Sequence, residues 1–329
     1  MKDILNNLID YQSLSRADAK NILTRLAQGE FNASQMAAFL TVYLMRSITV
    51  DELEGFRDAM LELCVPLPID EYDAIDLCGT GGDGKDTFNI STTASFIVAG
   101  AGQKVAKHGN NSVSSVCGSS NLLSHFGYEF TNDAEALKKS LDEAGICFLH
   151  APLFHPAMKN VAPVRRELGM KTFFNMLGPM VNPAFPKRQL VGVFSLELAR
   201  LYAYLYQQTD TRFVIVHSLD GYDEISLTGP FKMITPRGEQ LLNPEDLGLS
   251  THASESLSGG SSVADAARIF TDVLSDKGTS AQHEVAVANA GVALYCAGIA
   301  STPREGVAQA EASLKSGRAR QAFEQLTQR

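Results

Sequence analysis

The sequence predicts an α/β protein: a small N-terminal helical domain, then a larger α/β domain with a central, mostly parallel sheet. Three observations lead there. The first sixty or so of the 329 residues read as helices. A proline-bearing break, "VPLPID", follows Cys64. Beyond it, short apolar runs alternate with helical stretches, the pattern of a sheet built from β-α-β units.

Taken in order, Ile4, Leu5, Leu8 and Ile9 share one helical face. Asn32-Ala-Ser-Gln35 and Thr49-Val-Asp-Glu52 are capping boxes, in which the cap side chain accepts from the third amide and the Gln or Glu reaches back. The domain boundary is set at 66/67, with part of 155–180 joining the helical domain. Ala74–Cys78, Lys104–Lys107, Ile146–Leu149, Gln189–Phe194 and Phe213–His217 read as buried strands. Ser91–Gly100, Ala134–Ala144 and Leu196–Gln207 read as the helices between them. "GYDEISL" and "PFKMITPRG" suggest shorter strands, possible antiparallel partners. The segment Ser254–Ser262 reads as a flexible connection. Val263–Leu274, Gln282–Ala297 and a polar pair after Thr302-Pro303 are helical.

Composition narrows the function. Close to half of the residues are hydrophobic, enough for a sizeable core, and the net charge is -9. An acidic chain lacks the broad basic face of a general nucleic-acid binder, so attraction for an anion must be built locally. Five scattered cysteines with no C-x-x-C pair indicate neither a zinc site nor a disulfide framework, and fit reduced thiols in a cytoplasm. The N-terminus reads as neither a signal peptide nor a membrane span.

Four segments carry candidate chemistry. "DLCGTGGDGKD" runs from a strand into glycines, and a helix opens near Asn89–Ser95. Glycines let the backbone approach a phosphate, and the first amides of the helix add donors. The same turn could be purely structural; it has neither the Walker order nor a dinucleotide fingerprint. "KHGNNSVSS" puts Lys107, His108, Gly109 and Asn110 at a strand end, where ligands sit in open α/β sheets. Lys107 supplies the missing cation; His108 is either a packed histidine or an acid/base. Asp223-Glu224 suits Mg²⁺ bound together with a diphosphate, or a solvated turn. Arg165 and Arg166 offer planar cations suited to a carboxylate, on a helical stretch punctuated by Pro156 and Pro163.

Together, "GTGGDGKDTFNIST", "KHGNNSVSS", "HPAMKNVAPVRRELGMKTFFNMLGPMVNP" and "GYDEIS" resemble, in order and spacing, the anthranilate phosphoribosyltransferases. The resemblance runs over nearly the whole chain. It implies a nucleoside phosphorylase/phosphoribosyltransferase-like fold, a homodimer, and transfer of phosphoribosyl from 5-phospho-α-D-ribose 1-diphosphate (PRPP) to anthranilate in tryptophan biosynthesis, with Mg²⁺ as cofactor. It implies PRPP contacts at Gly79, Gly82, Asp83, Thr87, Asn89, Ile90, Ser91 and Thr92, then Lys107, His108, Gly109, Asn110, Asn111, Ser112, Val113, Ser114, Ser115 and Ser119. Anthranilate would meet Gly79, Asn110 and Arg165, and the metal Ser91, Asp223 and Glu224. Asn111, Ser120-Asn121 and His150 depart from the family pattern. The alternatives are a pyrimidine nucleoside phosphorylase, which would leave the acid pair without a purpose, and a nucleic-acid-binding relative, against which the charge speaks.

Overall fold

The computed structural model describes residues 1–112 and 115–328. Val113 and Ser114, both expected at the phosphate site, lie outside the described residues. The chain divides into two compact units, Met1–Pro66 with Ala151–Pro183, and Leu67–His150 with Ala184–Arg329.

The chain opens with α1 (Lys2–Ile9), α2 (Arg16–Ala27), α3 (Ala33–Met45) and α4 (Val50–Glu62). Both capping boxes form as the spacing predicts: Asn32 and Gln35 start α3, Thr49 and Glu52 start α4. There follow β1 (Ile75–Gly79), α5 (Ile90–Gly100), β2 (Val105–Gly109), α6 (Ser119–His125), α7 (Ala134–Ala144) and β3 (Ile146–His150). The chain then returns to the first unit through α8 (Ala151–Phe154), α9 (Ala162–Leu168) and α10 (Phe174–Leu177). Phe39, Tyr43, Phe56 and Phe173 form the aromatic centre of this unit, with Phe56 and Phe173 stacked at 4.4 Å.

The second unit resumes with β4 (Arg188–Gly192), α11 (Leu196–Gln207), β5 (Arg212–Ser218), β6 (Phe231–Thr235) and β7 (Gly238–Leu242), then α12 (Val263–Leu274), α13 (Ser280–Ala297), α14 (Pro303–Lys315) and α15 (Arg318–Thr327). Its sheet has the order β3-β2-β1-β4-β5-β6-β7. β1 to β5 are parallel, and β6 and β7 add an antiparallel hairpin. The chain winds outward from β1 through β2 to β3, then restarts at β4 and winds the other way. The switch point is therefore the β1–β4 pair, and ligands of open α/β sheets bind beyond the strand ends there. From Val285 onward α13 is buried nearly all round, packed on β4, β5 and α5, which is what its largely apolar run there requires.

Two expectations are corrected. "GYDEISL" is not a strand: residues 219–230 form turns and bends between β5 and β6. Its polar groups form no strand ladder; they bond to Ser218 at the end of β5, to Asn289 of α13 and to loops. Ser254–Ser262 is not a loose connection: Ser254–Leu257 is a 3₁₀ turn, and Ser258 bridges Thr87.

Candidate active site

The site grows from the ends of β1 and β4. Gly79 and Gly192 are paired neighbours in these strands. A Cβ on Gly79 would collide with the Asp223 carboxylate, and one on Gly192 with the Asp223 carbonyl. Two glycines thus make a cradle for one acid. From Gly79 the chain enters a loop in which Gly81, Gly82 and Gly84 have φ of 70°, 80° and 74°, a region that L side chains rarely occupy. The loop leans on the 219–230 segment. Gly81 N–H donates to Asp223 Oδ2 at 2.5 Å, and the Lys85 ammonium lies 4.6 Å above the Tyr222 ring. The Asp83 carboxylate accepts from the Lys85 amide at 3.1 Å and, at 3.5 Å, from that of Asp223. The far side of the loop is fastened too: Gly259 N–H donates to Asp86 O, and Phe88 N–H to Leu257 O.

Asn89 stands at the N-cap position of α5 but its side chain makes no cap bond; its amide nitrogen donates to Cys117 O at 2.8 Å instead. Ile90 and Thr92 are buried in the first turn. Between them, Ser91 N–H donates to Glu224 Oε1 at 2.9 Å. Glu224 thus supplies the acceptor that the helix start needs and faces its positive end. Lys107, on β2, is 2 % exposed; its ammonium donates to Leu77 O at 2.6 Å and lies 3.5 Å from Ser91 Oγ. Leu77, Ser91, Asp223 and Glu224 line one small cavity.

The electrostatics are those of crowded acids. Burial pushes Asp223 well above its ordinary value, and Glu224 and Asp83 push it further. Burial also raises Glu224, to about 7, although Ser91 bonds oppose this. Burial lowers Lys107, while Asp76, Cys78 and Glu224 favour its charged form. Among the described residues, neither Asp223 nor Glu224 is in an ion pair, and no three His, Cys, Asp or Glu side chains form a metal-holding group. A buried and a partly buried carboxylate, side by side and outside any ion pair, fit Mg²⁺, which takes few protein ligands and completes its shell with water and phosphate oxygens.

The second polar loop follows β2. His108 is buried, with its N–H donating to Asp76 Oδ1 at 3.3 Å. A Cβ on Gly109 would meet Phe148 at 2.5 Å. Asn110 Oδ1 accepts from Asn111 N–H, and Ser112 Oγ accepts from Ser115 N–H. Ser119, at the start of α6, contacts Asn110 O at 3.4 Å. Two family departures hold this loop: Asn121 Oδ1 accepts from the amides of Ser112 and Gly118, and Ser120 Oγ bonds His150 Nδ1 at 2.8 Å. His150 is itself stacked on Phe130.

The structure therefore gathers Gly79, Ser91, Lys107, Asp223 and Glu224, with the Gly82–Asp83 loop beside them. Arg165 belongs to the other unit. There its half-buried guanidinium lies 4.9 Å from the Phe174 ring centre and donates to Asn175 Oδ1 at 3.5 Å, and burial lowers its pKa. Sequence reasoning missed Gly192, Gly259 and Asn289. Gly192 sits unremarked in "LVGVF", and Asn289 in an apolar helix; only their tertiary neighbours reveal them.

Comparison with known proteins gives consistent results. Residues 71–320 match the glycosyl transferase family α/β domain, and residues 2–64 the helical bundle domain of that family. An anthranilate phosphoribosyltransferase of Christiangramia forsetii is 59 % identical over 326 residues, 99 % of this chain and 98 % of that protein. One from Flavobacterium johnsoniae is 58 % identical over 99 % and 98 %. Among solved structures, the anthranilate phosphoribosyltransferase of Thermus thermophilus has a TM-score of 0.92 at 34 % identity, covering 98 % of each chain. The Saccharomyces cerevisiae enzyme in complex with PRPP and Mg has a TM-score of 0.89 at 27 % identity, covering 98 % of this chain and 96 % of that one.

Proposed function

We infer how the site works from one premise: the chain belongs to the anthranilate phosphoribosyltransferases of the glycosyl transferase family, and it transfers the phosphoribosyl group of PRPP to the amino group of anthranilate, releasing diphosphate. The observation that carries the residue assignments is the convergence of Lys107, Ser91 and the acid pair at the sheet's switch point.

The transfer breaks the bond from ribose C1 to diphosphate and makes one from C1 to nitrogen. Negative charge grows on the departing diphosphate. Donors gathered around the bound diphosphate stabilise that charge. Here they are the loop amides around Gly81 and Gly82, the α5 amides of Ser91 and Thr92, the hydroxyls of Thr87 and Ser91, and the Lys107 ammonium. Asp223, Glu224 and the Ser91 hydroxyl would hold Mg²⁺, which when bound supplies further neutralisation of the leaving group. The amides of Gly81 and Ser91 bond the acid pair in this structure. They are the donors an incoming phosphate needs, so PRPP binding must exchange partners at both. By the resemblance, Gly109 through Ser115, and Ser119, would close around the same ligand.

Anthranilate brings an aromatic amine that is neutral at pH 7, so no strong base is required to start attack. Arg165 would take its carboxylate, its guanidinium plane set by Phe174 and Asn175; Gly79 and Asn110 would complete that contact set. His108 is assigned at most the later acceptance of the amine proton.

The resemblance implies a homodimer. Five free thiols support a reducing compartment such as the cytoplasm, and among the described residues no helix is long and apolar enough to cross a membrane. Anthranilate fluorescence tests the function directly. It should fall only when PRPP and Mg²⁺ are both present. No loss with both, or phosphorolysis of a pyrimidine nucleoside by inorganic phosphate instead, would overturn the reading.

A further inference from the structure

The acid pair sits between β5 and β6, outside both strands. Residues 219–230 have no sheet ladder, yet they carry two adjacent acids, Asp223 buried and Glu224 partly buried, whose charges oppose each other. Some other group must hold the main chain there. The residue after the pair, Ile225, has both of its peptide groups engaged by one side chain. Asn289 Oδ1 accepts from Ile225 N–H at 3.1 Å, and Asn289 Nδ2 donates to Ile225 O at 2.8 Å. This is the reciprocal pair of bonds that a neighbouring strand would make, supplied by a helix. The third bond, Nδ2 to Val285 O at 2.8 Å, ties the amide to its own helix. The orientation is fixed by chemistry, because an N–H needs the amide oxygen and two carbonyls need the amide nitrogen.

An asparagine in the middle of α13 is otherwise hard to explain. It is 3 % exposed and flanked on the helix by buried Val287, Ala288, Ala290 and Val292. A buried amide costs stability unless its bonds are made. All three bonds here are made, two of them to the acid-pair segment. Asn289 also lines the same cavity as Ser91, Asp223 and Glu224. A second anchor is independent of it: Ser218 Oγ donates to Glu224 O at 2.8 Å and accepts from Ser226 N–H.

We propose that Asn289 is a positioning residue for PRPP–Mg²⁺ binding, holding the Ile225 peptide so that the Glu224 carboxylate faces the α5 start and the Asp223 carboxylate the loop after β1. This rests on the function inferred above. The test is calorimetric titration of the full-length protein with PRPP plus Mg²⁺, alongside steady-state kinetics in each substrate. Asn289→Leu removes all three bonds at similar volume. It should weaken PRPP–Mg²⁺ binding by roughly tenfold or more, the range found for groups that orient metal ligands. The KM for PRPP should rise likewise, while the KM for anthranilate stays within about twofold. Asn289→Asp keeps acceptance from Ile225 N–H but loses both donations, and should bind less tightly than wild type. A folded Leu variant with wild-type PRPP–Mg²⁺ affinity, or an equal loss toward both substrates, overturns the proposal. Should the Leu variant not fold, Asn289→Ser takes its place: wild-type affinity refutes, a weaker one supports. Wild-type protein that fails to bind PRPP with Mg²⁺ would instead sink the functional reading itself.

Discussion

Glu52 in the helical unit is fully buried and Glu224 in the α/β unit partly so, and their surroundings differ in kind. Glu52 is met by the Arg46 guanidinium, the Tyr43 hydroxyl, the amides of Leu14 and Thr49, and the Thr49 hydroxyl. Burial alone would raise its pKa, but Arg46 and the amides outweigh burial and the net direction is down. Glu224 has the Ser91 amide, a lysine whose ammonium is bonded elsewhere, and another acid beside it. The first arrangement is complete as it stands. The second is complete only when a cation arrives, which is how a binding site differs from a structural ion pair.

The contrast can be broken most sharply at Glu52. Glu52→Gln leaves the Arg46 side chain, 9 % exposed, without its charge partner and weakens the cap of α4. Stability should fall by roughly 3–5 kcal/mol, as for other broken buried pairs. Denaturant titration measures this, and turnover per folded molecule should be unchanged. Neutralising the other site should do the reverse. Asp223→Asn with Glu224→Gln should lower turnover on the order of a hundredfold, about 2.7 kcal/mol. The same change removes like-charge repulsion, so the ligand-free protein should melt at a higher temperature. A lower melting temperature would show that the acids serve the fold, as Glu52 does.

Lys107 sharpens the comparison from the cationic side. Arg46 is committed to Glu52, whereas Lys107 donates to a backbone carbonyl and is left to meet an anion. A charge-assisted bond is worth about 1.5–3 kcal/mol. Lys107→Ala should therefore slow PRPP turnover by roughly ten- to over a hundredfold. Kinetics at saturating anthranilate would reveal it, and an unchanged rate would remove the lysine from the site.

What the sequence made legible follows from where each signal is stored. Capping boxes are local, so Thr49 and Glu52 could be read directly, and so could the glycines whose backbone geometry is itself local. The strands were legible as apolar runs, and the sheet's parallel class from their alternation with helices. The segment around Asp223 misled because Tyr222, Ile225 and Leu227 are buried like residues of a strand. Their burial comes from a folded-over loop, held by Asn289 from 64 residues away. Gly192 was invisible for the same reason: what forbids its side chain is the carbonyl of Asp223, a neighbour in space only. Local chemistry can be read from sequence; a close approach between distant segments cannot.

The smallest expected effect is the most direct reading of the contrast, because the two carboxylates should bend the pH–stability curve in opposite directions. Glu52 titrates lower in the folded chain than its ordinary value of 4.5. The unfolded chain therefore binds its proton first as acid is added. Its contribution is complete above about 4.5 and is lost as pH falls through the folded value. Glu224 is the opposite case. The folded chain holds a proton up to about pH 7 that the unfolded chain releases near 4.5. Its contribution is greatest below 4.5 and is lost as pH rises through 7. Melting curves of the ligand-free protein should show this, with Glu224→Gln flattening the decline between pH 4.5 and 7 and leaving the acid limb intact. Adding PRPP with Mg²⁺ should likewise cancel the decline, since binding favours the ionised acids. Asp223, also raised, sustains part of the decline; if Glu224→Gln leaves it as steep as in the wild type, Glu224 is already as well compensated as Glu52, and the distinction between the two sites fails.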